Sequence, residues 1–218
     1  MLSSLEVRRQ VLEAAREIYS SGMVIGTWGN VSARATDLKG FVITPSGMDY
    51  ESLNPEDMVI VGYDKQVIEG RYRPSSESPL HLAIYLARPD VGAIVHVHSP
   101  FATAFAVAGV PIPVILEETA QVIGHEIPVV PYALTGSRKL AEYAVKALGE
   151  TGRAALLSHH GLIGVGASVD QALRVCYVTE QTAQIGVYAR MLGPLKGLAE
   201  DQVKLLHEGF KRYGQKKQ

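Results

Sequence analysis

Ala93-Ile94-Val95-His96-Val97-His98-Ser99-Pro100 reads as an apolar strand that carries two histidines and runs straight into a helix start. Successive side chains on a strand point to opposite faces, so His96 and His98, two positions apart, share one face. Ser99 and Pro100 then supply a capping hydroxyl and an early-turn proline for a helix reaching to about Gly109. Upstream, Pro74-Ser75-Ser76-Glu77-Ser78-Pro79 opens another helix in the same way. Its face is Leu80, Ala83, Ile84 and Ala87, and Pro89 ends it.

Further out the two kinds of element continue to mix. Ser3 and Glu6 have capping-box spacing. Val7, Val11, Ala14, Ala15 and Ile18 recur at helical spacing, and Gly22 follows. Gly26-Thr27-Trp28-Gly29-Asn30-Val31-Ser32 is small and polar and reads as a loop. Phe41-Val42-Ile43 and Met58-Val59-Ile60-Val61 read as strands around the turn-rich Thr44-Pro45-Ser46-Gly47. Downstream, Ala154 to Ser158 is a buried strand leading into His159-His160-Gly161. A long helix spans roughly Val169 to Met191 and a last one roughly Glu200 to Lys211, with Val203, Leu206 and Phe210 on its face. Strands and helices alternate without repeat or linker, so the reading is an α/β or α+β fold, one domain over 1–218 with a flexible tail over about 214–218.

Composition narrows the class of function. Hydrophobic residues make up 47% of the 218, enough for one sizeable core and too many for disorder. The 21 basic and 22 acidic residues nearly cancel to −1, which lacks the basic surplus of a nucleic-acid binder. No apolar run approaches the ~18 residues of a membrane span. MLSSLEVRRQ lacks the apolar segment of a signal peptide. One cysteine, Cys176, forms no internal disulfide, and the expected compartment is the reducing cytoplasm.

Histidines carry the chemistry. Two imidazoles on one strand face can grip a metal ion, whereas the plain alternative is a polar pair at a strand end. The His159-His160 step at the end of another buried strand, and Glu77 beside a helix start, favour the metal. A catalytic zinc takes three protein ligands and keeps one position open. Iron, cobalt and manganese also accept imidazole. Spacing leaves His159 and His160 equal as third ligand. If the strand continues they face opposite ways, so one of them binds. His81, His125 and His207 read as surface or helix-face residues. Three further segments, Gly26 to Asn30, Thr44 to Gly47 and Ser75-Ser76, can each offer N–H groups and hydroxyls to an anion, and together they suggest a phosphorylated substrate.

These segments occur in the order and approximate spacing of a known family. Gly26 to Ser32, Thr44 to Gly47, Pro74 to Glu77, His96-Val97-His98 and His159-His160-Gly161-Leu162 make the chain resemble the class II aldolases of the L-fuculose-phosphate aldolase and L-ribulose-5-phosphate 4-epimerase family. The resemblance implies a three-layer α/β/α domain around a mostly antiparallel sheet, in a homotetramer with sites at subunit interfaces. It implies one Zn²⁺ on His96, His98 and His160, with Glu77 as acid/base that also approaches the metal. It implies a phosphate pocket of Thr27, Gly29, Asn30, Ser46, Gly47, Ser75 and Ser76, and a catalytic Tyr213 that closes over a neighbouring subunit's site.

One departure stands out. The aldolase's catalytic tyrosine in the segment matching Pro113 to Gly124 is replaced, on gapless counting, by Glu117. The epimerase's aspartate would fall nearer Ala120. Either Glu117 is the proton donor for the aldehyde oxygen or the native substrate differs, and a solvated acidic pair with Glu118 is the plain alternative. The implied activity is retro-aldol cleavage of a ketose 1-phosphate to dihydroxyacetone phosphate and a short aldehyde such as lactaldehyde. The rival activities on the same site are a pentulose-phosphate 4-epimerase, a sugar-phosphate dehydratase and a tetronate-phosphate decarboxylase. A non-catalytic scaffold like the adducin head domain is the rival of another class, and retention of His96, His98, His160 and Glu77 argues against it.

Overall fold

The histidine-bearing strand, β5 (Ala93–Val97), lies inside an eight-stranded sheet. The computed structural model describes residues 4–210. The other strands are β1 (Asn30–Ala35), β2 (Gly40–Ile43), β3 (Val59–Gly62), β4 (Val67–Glu69), β6 (Val129–Val130), β7 (Ala154–Leu157) and β8 (Gly161–Gly166). Their order is β4-β3-β2-β1-β5-β8-β7-β6, and only β6 and β7 pair in parallel. The mostly antiparallel sheet is thus as expected.

The described residues form seven α-helices, α1 (Ser4–Ser20), α2 (Ser78–Ala87), α3 (Pro100–Ala108), α4 (Glu117–Val122), α5 (Arg138–Leu148), α6 (Val169–Leu192) and α7 (Glu200–Phe210); α1, α3 and α6 cover one face of the sheet, α2 and α5 the other, while α4 packs on α6 and α7 on α4. The pleat decides which face each strand residue serves. Ala93, Val95 and Val97 join the core under α1, α3 and α6. Ile94 joins the core under α2 and α5. His96 has the parity of Ile94, so it opens toward α2.

Local signals account for the helix ends. Gly22, at φ +75°, ends α1 while Gly22 N–H donates to the Tyr19 carbonyl and Met23 N–H to that of Ile18, a Schellman pair. Ser137 and Ser168 accept from Leu140 N–H and Gln171 N–H at the starts of α5 and α6. A Cβ on Gly164 would stand 2.6 Å from Cys176 Sγ, so α6 lies this close to β8 only because that position has no side chain.

Several expectations change. The segment from Gly26 is a loop only as far as Gly29. Asn30 already starts β1, which pairs with β2 and β5 and sets Asn30 opposite His96. The strand at Ala154 does not continue through the two histidines: Ser158, His159 and His160 make the turn of the β7–β8 hairpin. His159 takes the left-handed conformation at φ +55° there. The N-cap of α2 is Glu77, without a serine hydroxyl capping it. The sequence pattern does not mark β1, β4, β6, β8, α4 or α5 as elements. The Ser3 capping box and the tail at 214–218 lie outside the described residues. No described helix is long and apolar enough to cross a membrane.

The end of α2 is tied down by a buried arginine. Arg88, 5% exposed, donates through Nη1 to the carbonyls of Gly149 and Gly152, both at 3.1 Å, and meets the Asp90 carboxylate twice at 2.7 Å. Hydrogen bonds involving a charged group are worth ~1.5–3 kcal/mol each, and removing one partner strands the others. Arg88→Ala should therefore lose about 3 kcal/mol of stability. Urea unfolding is the measurement, and an unchanged midpoint would contradict the assignment.

Candidate metal and catalytic site

The candidate site lies at the C-terminal end of β5, where the antiparallel ladder sets Asn30, the first residue of β1, opposite His96. His96 sits on β5, fully buried, with Nδ1 2.9 Å from the Leu162 carbonyl oxygen of β8. Nδ1–H therefore donates there, and Nε2 keeps its lone pair for the site. His98 follows the last residue of β5, and its Nε2 lies 2.9 Å from His96 Nε2. His160 enters from the β7–β8 turn. The three ring centroids form a near-equilateral triangle with sides of 4.7 to 4.8 Å. Their ligand nitrogens all lie within 4.8 Å of one another.

Glu77 completes the group from the N-cap position of α2. Its Oε2 is 3.1 Å from His96 Nε2, and its Oε1 is 3.6 Å from His160 Nε2. Asn30 Nδ2–H donates to Oε2 at 2.9 Å. The turn structure of the left-handed His159 also settles which member of the histidine pair enters: His160 faces the cluster, while exposed His159 stacks edge-on against Tyr132 at 6.2 Å.

Electrostatics follow from that packing. Burial pushes the Glu77 carboxyl up, but the imidazoles of His96 and His160 and the Asn30 amide outweigh it and hold the group well below the usual carboxylate range. Burial, reinforced by His96, pushes His98 down to about 3 and His160 to about 4. Burial likewise opposes charge on His96, yet Glu77 raises it. At neutral pH the site thus offers an ionised carboxylate and two neutral imidazoles.

That donor set fits a metal ion. Glu77 Oε1 and His160 Nδ1 are buried without a hydrogen-bond partner. An orphaned buried carboxylate oxygen amid three imidazoles is the arrangement a divalent cation relieves. The cluster can therefore hold a metal.

The loops converge on the same place. A cleft of about 530 Å³ is lined by Thr27, Gly29, Asn30, Ser46, Gly47, Ser75, Ser76, Glu77, His98 and His160. His96 lies beneath its floor. Two of the loops are joined: Ser46 N–H donates to the Arg73 carbonyl at 2.9 Å and Ser75 N–H to that of Thr44 at 3.0 Å, around a Pro45–Pro74 bridge. The third is fixed by the Tyr50 hydroxyl, which donates to the Gly29 carbonyl. Two predicted phosphate ligands have other commitments: the Asn30 amide donates to Glu77, and the Ser75 hydroxyl accepts from Glu77 N–H at 3.3 Å. Glu117 is exposed at the start of α4 and is not among the residues lining this cleft of its own chain. Tyr213 lies outside the described residues.

Sequence reasoning missed three neighbours. Trp28 and Thr135 also line the cleft. His81, read as a surface or helix-face residue, is fully buried. Its Nδ1 lies 2.6 Å from Ser32 Oγ, which in turn is 2.8 Å from the Tyr85 hydroxyl. The available signal was its position four residues after Glu77, which puts both on one helix face. His207 is also more than surface: its Nδ1 lies within 3.2 Å of the Ala120 carbonyl and 3.1 Å of that of Gln121, tying α7 to α4. A second groove, about 590 Å³, runs beside α7 past His125, Lys204 and His207, well away from the three clustered histidines.

Comparison with known proteins places this geometry. Residues 9–187 match the family described as Class II Aldolase and Adducin N-terminal domain. An L-fuculose phosphate aldolase of Escherichia coli O6:H1 is 37% identical, over 96% of this chain and 96% of its own length. A 5-deoxy-D-ribulose 1-phosphate aldolase of Bacillus thuringiensis serovar kurstaki is 36% identical, over 95% of this chain and 97% of its own. A solved L-fuculose 1-phosphate aldolase superposes with a TM-score of 0.91 at 32% identity, covering 97% of this chain and 98% of that one. On a match spanning most of its length and relatives aligned nearly end to end, the chain belongs to the class II aldolase and adducin N-terminal domain family.

Proposed function

We propose that this chain is a zinc-dependent aldolase that cleaves a ketose 1-phosphate to dihydroxyacetone phosphate and a short aldehyde such as lactaldehyde. The observation that carries the reading is the meeting of three imidazoles and one buried carboxylate beside a cleft rimmed by loop hydroxyls and N–H groups. The relatives named above act on ketose 1-phosphates that end in a deoxygenated carbon, which favours an aldehyde with a methyl end.

His96, His98 and His160 are the proposed metal ligands, with Glu77 close enough to join them. Zn²⁺ bound there supplies Lewis-acid stabilisation of negative charge on a substrate carbonyl oxygen. The loop residues Thr27, Gly29, Ser46, Gly47 and Ser76 hold the phosphate and fix the reacting carbons in register. Glu77 is ionised, the form needed to take a proton from the hydroxymethyl carbon of dihydroxyacetone phosphate in the condensing direction. By microscopic reversibility it returns that proton when the carbon–carbon bond breaks.

A second group must take the proton of the hydroxyl at the cleaved bond. Glu117 and Tyr213 are the candidates, and the family resemblance implies that Tyr213 would act at the site of a neighbouring subunit. α7, which leads toward Tyr213, is docked on α4, which begins at Glu117.

Elemental analysis tests the metal. About one zinc per chain is expected in the wild type, most of it gone from His96→Ala and His160→Ala and all of it kept in His159→Ala. Undiminished metal in either of the first two refutes the ligand set. A second test concerns Glu77→Gln, which keeps the shape and removes the base. Deuterium wash-in to dihydroxyacetone phosphate should fall by ~10²–10⁴-fold, and wild-type exchange would remove Glu77 from the proton path. The activity itself is settled by NMR on a panel of ketose phosphates. Dihydroxyacetone phosphate plus aldehyde is expected, whereas an epimerised, dehydrated or decarboxylated product overturns the aldolase reading.

A further inference from the structure

The link from β5 to α3 is only two residues long, His98 and Ser99, so the way α3 is anchored fixes where His98 can stand. Helix starts leave orphan N–H groups that an N-cap side chain normally satisfies. Ser99 occupies the N-cap position of α3, with φ −64° and ψ 139°, but its hydroxyl is buried and has no partner. Pro100 has no N–H. The next two N–H groups go to a side chain from another helix: Phe101 N–H donates to Glu180 Oε1 at 2.9 Å and Ala102 N–H to Glu180 Oε2 at 2.8 Å.

Glu180 therefore stands where the capping serine would. It comes from the middle of α6, 79 positions further along the chain from Phe101. Its negative charge meets the positive end of the α3 dipole. The same helix also holds Phe101 through Tyr188, ring to ring at 5.7 Å. A serine cap would bind the helix to itself. A carboxylate from α6 binds it instead to the long helix that packs across β5 and β8, so the start of α3 is referenced to the sheet carrying His96.

We propose that Glu180 is a positioning residue for the metal centre, which holds His98 at its place in the three-histidine cluster by clamping the first turn of α3. The proposal rests on the reading of His96, His98 and His160 as metal ligands. It adds a residue that no motif of the site contains and that touches neither metal nor substrate.

Cobalt(II) substituted into the purified full-length protein provides the test, since its visible spectrum reports ligand geometry and chelator competition reports affinity. Glu180→Ala should weaken cobalt binding by roughly tenfold or more, the scale of losses when the supports of metal ligands are removed, and should change the spectrum. Glu180→Gln keeps one carbonyl oxygen for one N–H and should fall between, roughly threefold weaker. Ser99→Ala, whose hydroxyl holds nothing, and Arg88→Ala, destabilised at a distance, should both keep the wild-type spectrum and affinity. That contrast separates positioning from loss of stability. Wild-type affinity and spectrum in Glu180→Ala overturn the proposal alone. If the alanine variant does not fold, the same result in Glu180→Gln overturns it. Cobalt binding at wild-type affinity in His98→Ala overturns the metal reading instead, and with it this one.

Discussion

A carboxylate as buried as that of Glu77 can remain ionised only if its surroundings repay the hydration it has lost. Much of the site is organised around that requirement. Asn30 lies opposite His96 because β1 pairs with β5 in one register, and that register brings an amide donor and an imidazole to the same carboxylate. A shift of β1 by one residue would turn Asn30 to the other face of the sheet and leave Glu77 without its donor. The position of α2 follows as well, since its N-cap must deliver Glu77 into the gap at the end of the sheet.

The compensation inside one chain is incomplete. Glu77 Oε1, Asn30 Oδ1, His81 Nε2 and His160 Nδ1 are buried without hydrogen-bond partners among the described residues, and burial keeps the imidazoles of His98 and His160 neutral. Polar groups left in this state cost stability and recur where a protein has been shaped for a ligand. The buried chain Tyr85–Ser32–His81 lies behind the same carboxylate and fills the space between α2 and β1 with hydrogen-bonded groups rather than methyls. The wall of the site is thus polar on both sides of Glu77, while the rest of the α2 face is apolar.

The sequence exposes what depends on local pattern and conceals what depends on pairing. The strands at 41–43, 58–61, 93–98 and 154–158 and the helices at both ends are visible as runs or periodicities. The five motifs of the resemblance identify the family. By contrast, β1 reads as a loop at its start because Asn30 and Ser32 are polar, and they are polar because they face Glu77 and His81. β8 is hidden by its glycines, which are needed where α6 and β5 approach closely. His81 looks like any helix-face histidine until Ser32 is placed beside it. Spacing leaves His159 and His160 equivalent, and the left-handed turn between β7 and β8 separates them. Thr135 enters the cleft from a segment with no motif of its own.

The two outermost strands are the shortest but one and the shortest of the sheet: β4 has three residues and β6 has two. β4 is exposed throughout, and its pairing with β3 is interrupted by a register shift at Ile60 and Val61. Glu69 on that edge is held by the Arg8 guanidinium at 2.7 Å. An eight-stranded sheet has two rims of unpaired backbone groups that can recruit strands from other molecules. Here one rim is short, irregular and charged, and the other ends after a single parallel step. The consequence is colloidal: the protein can keep a broad, mostly antiparallel sheet in concentrated solution without the sheet serving as a template for fibrous growth.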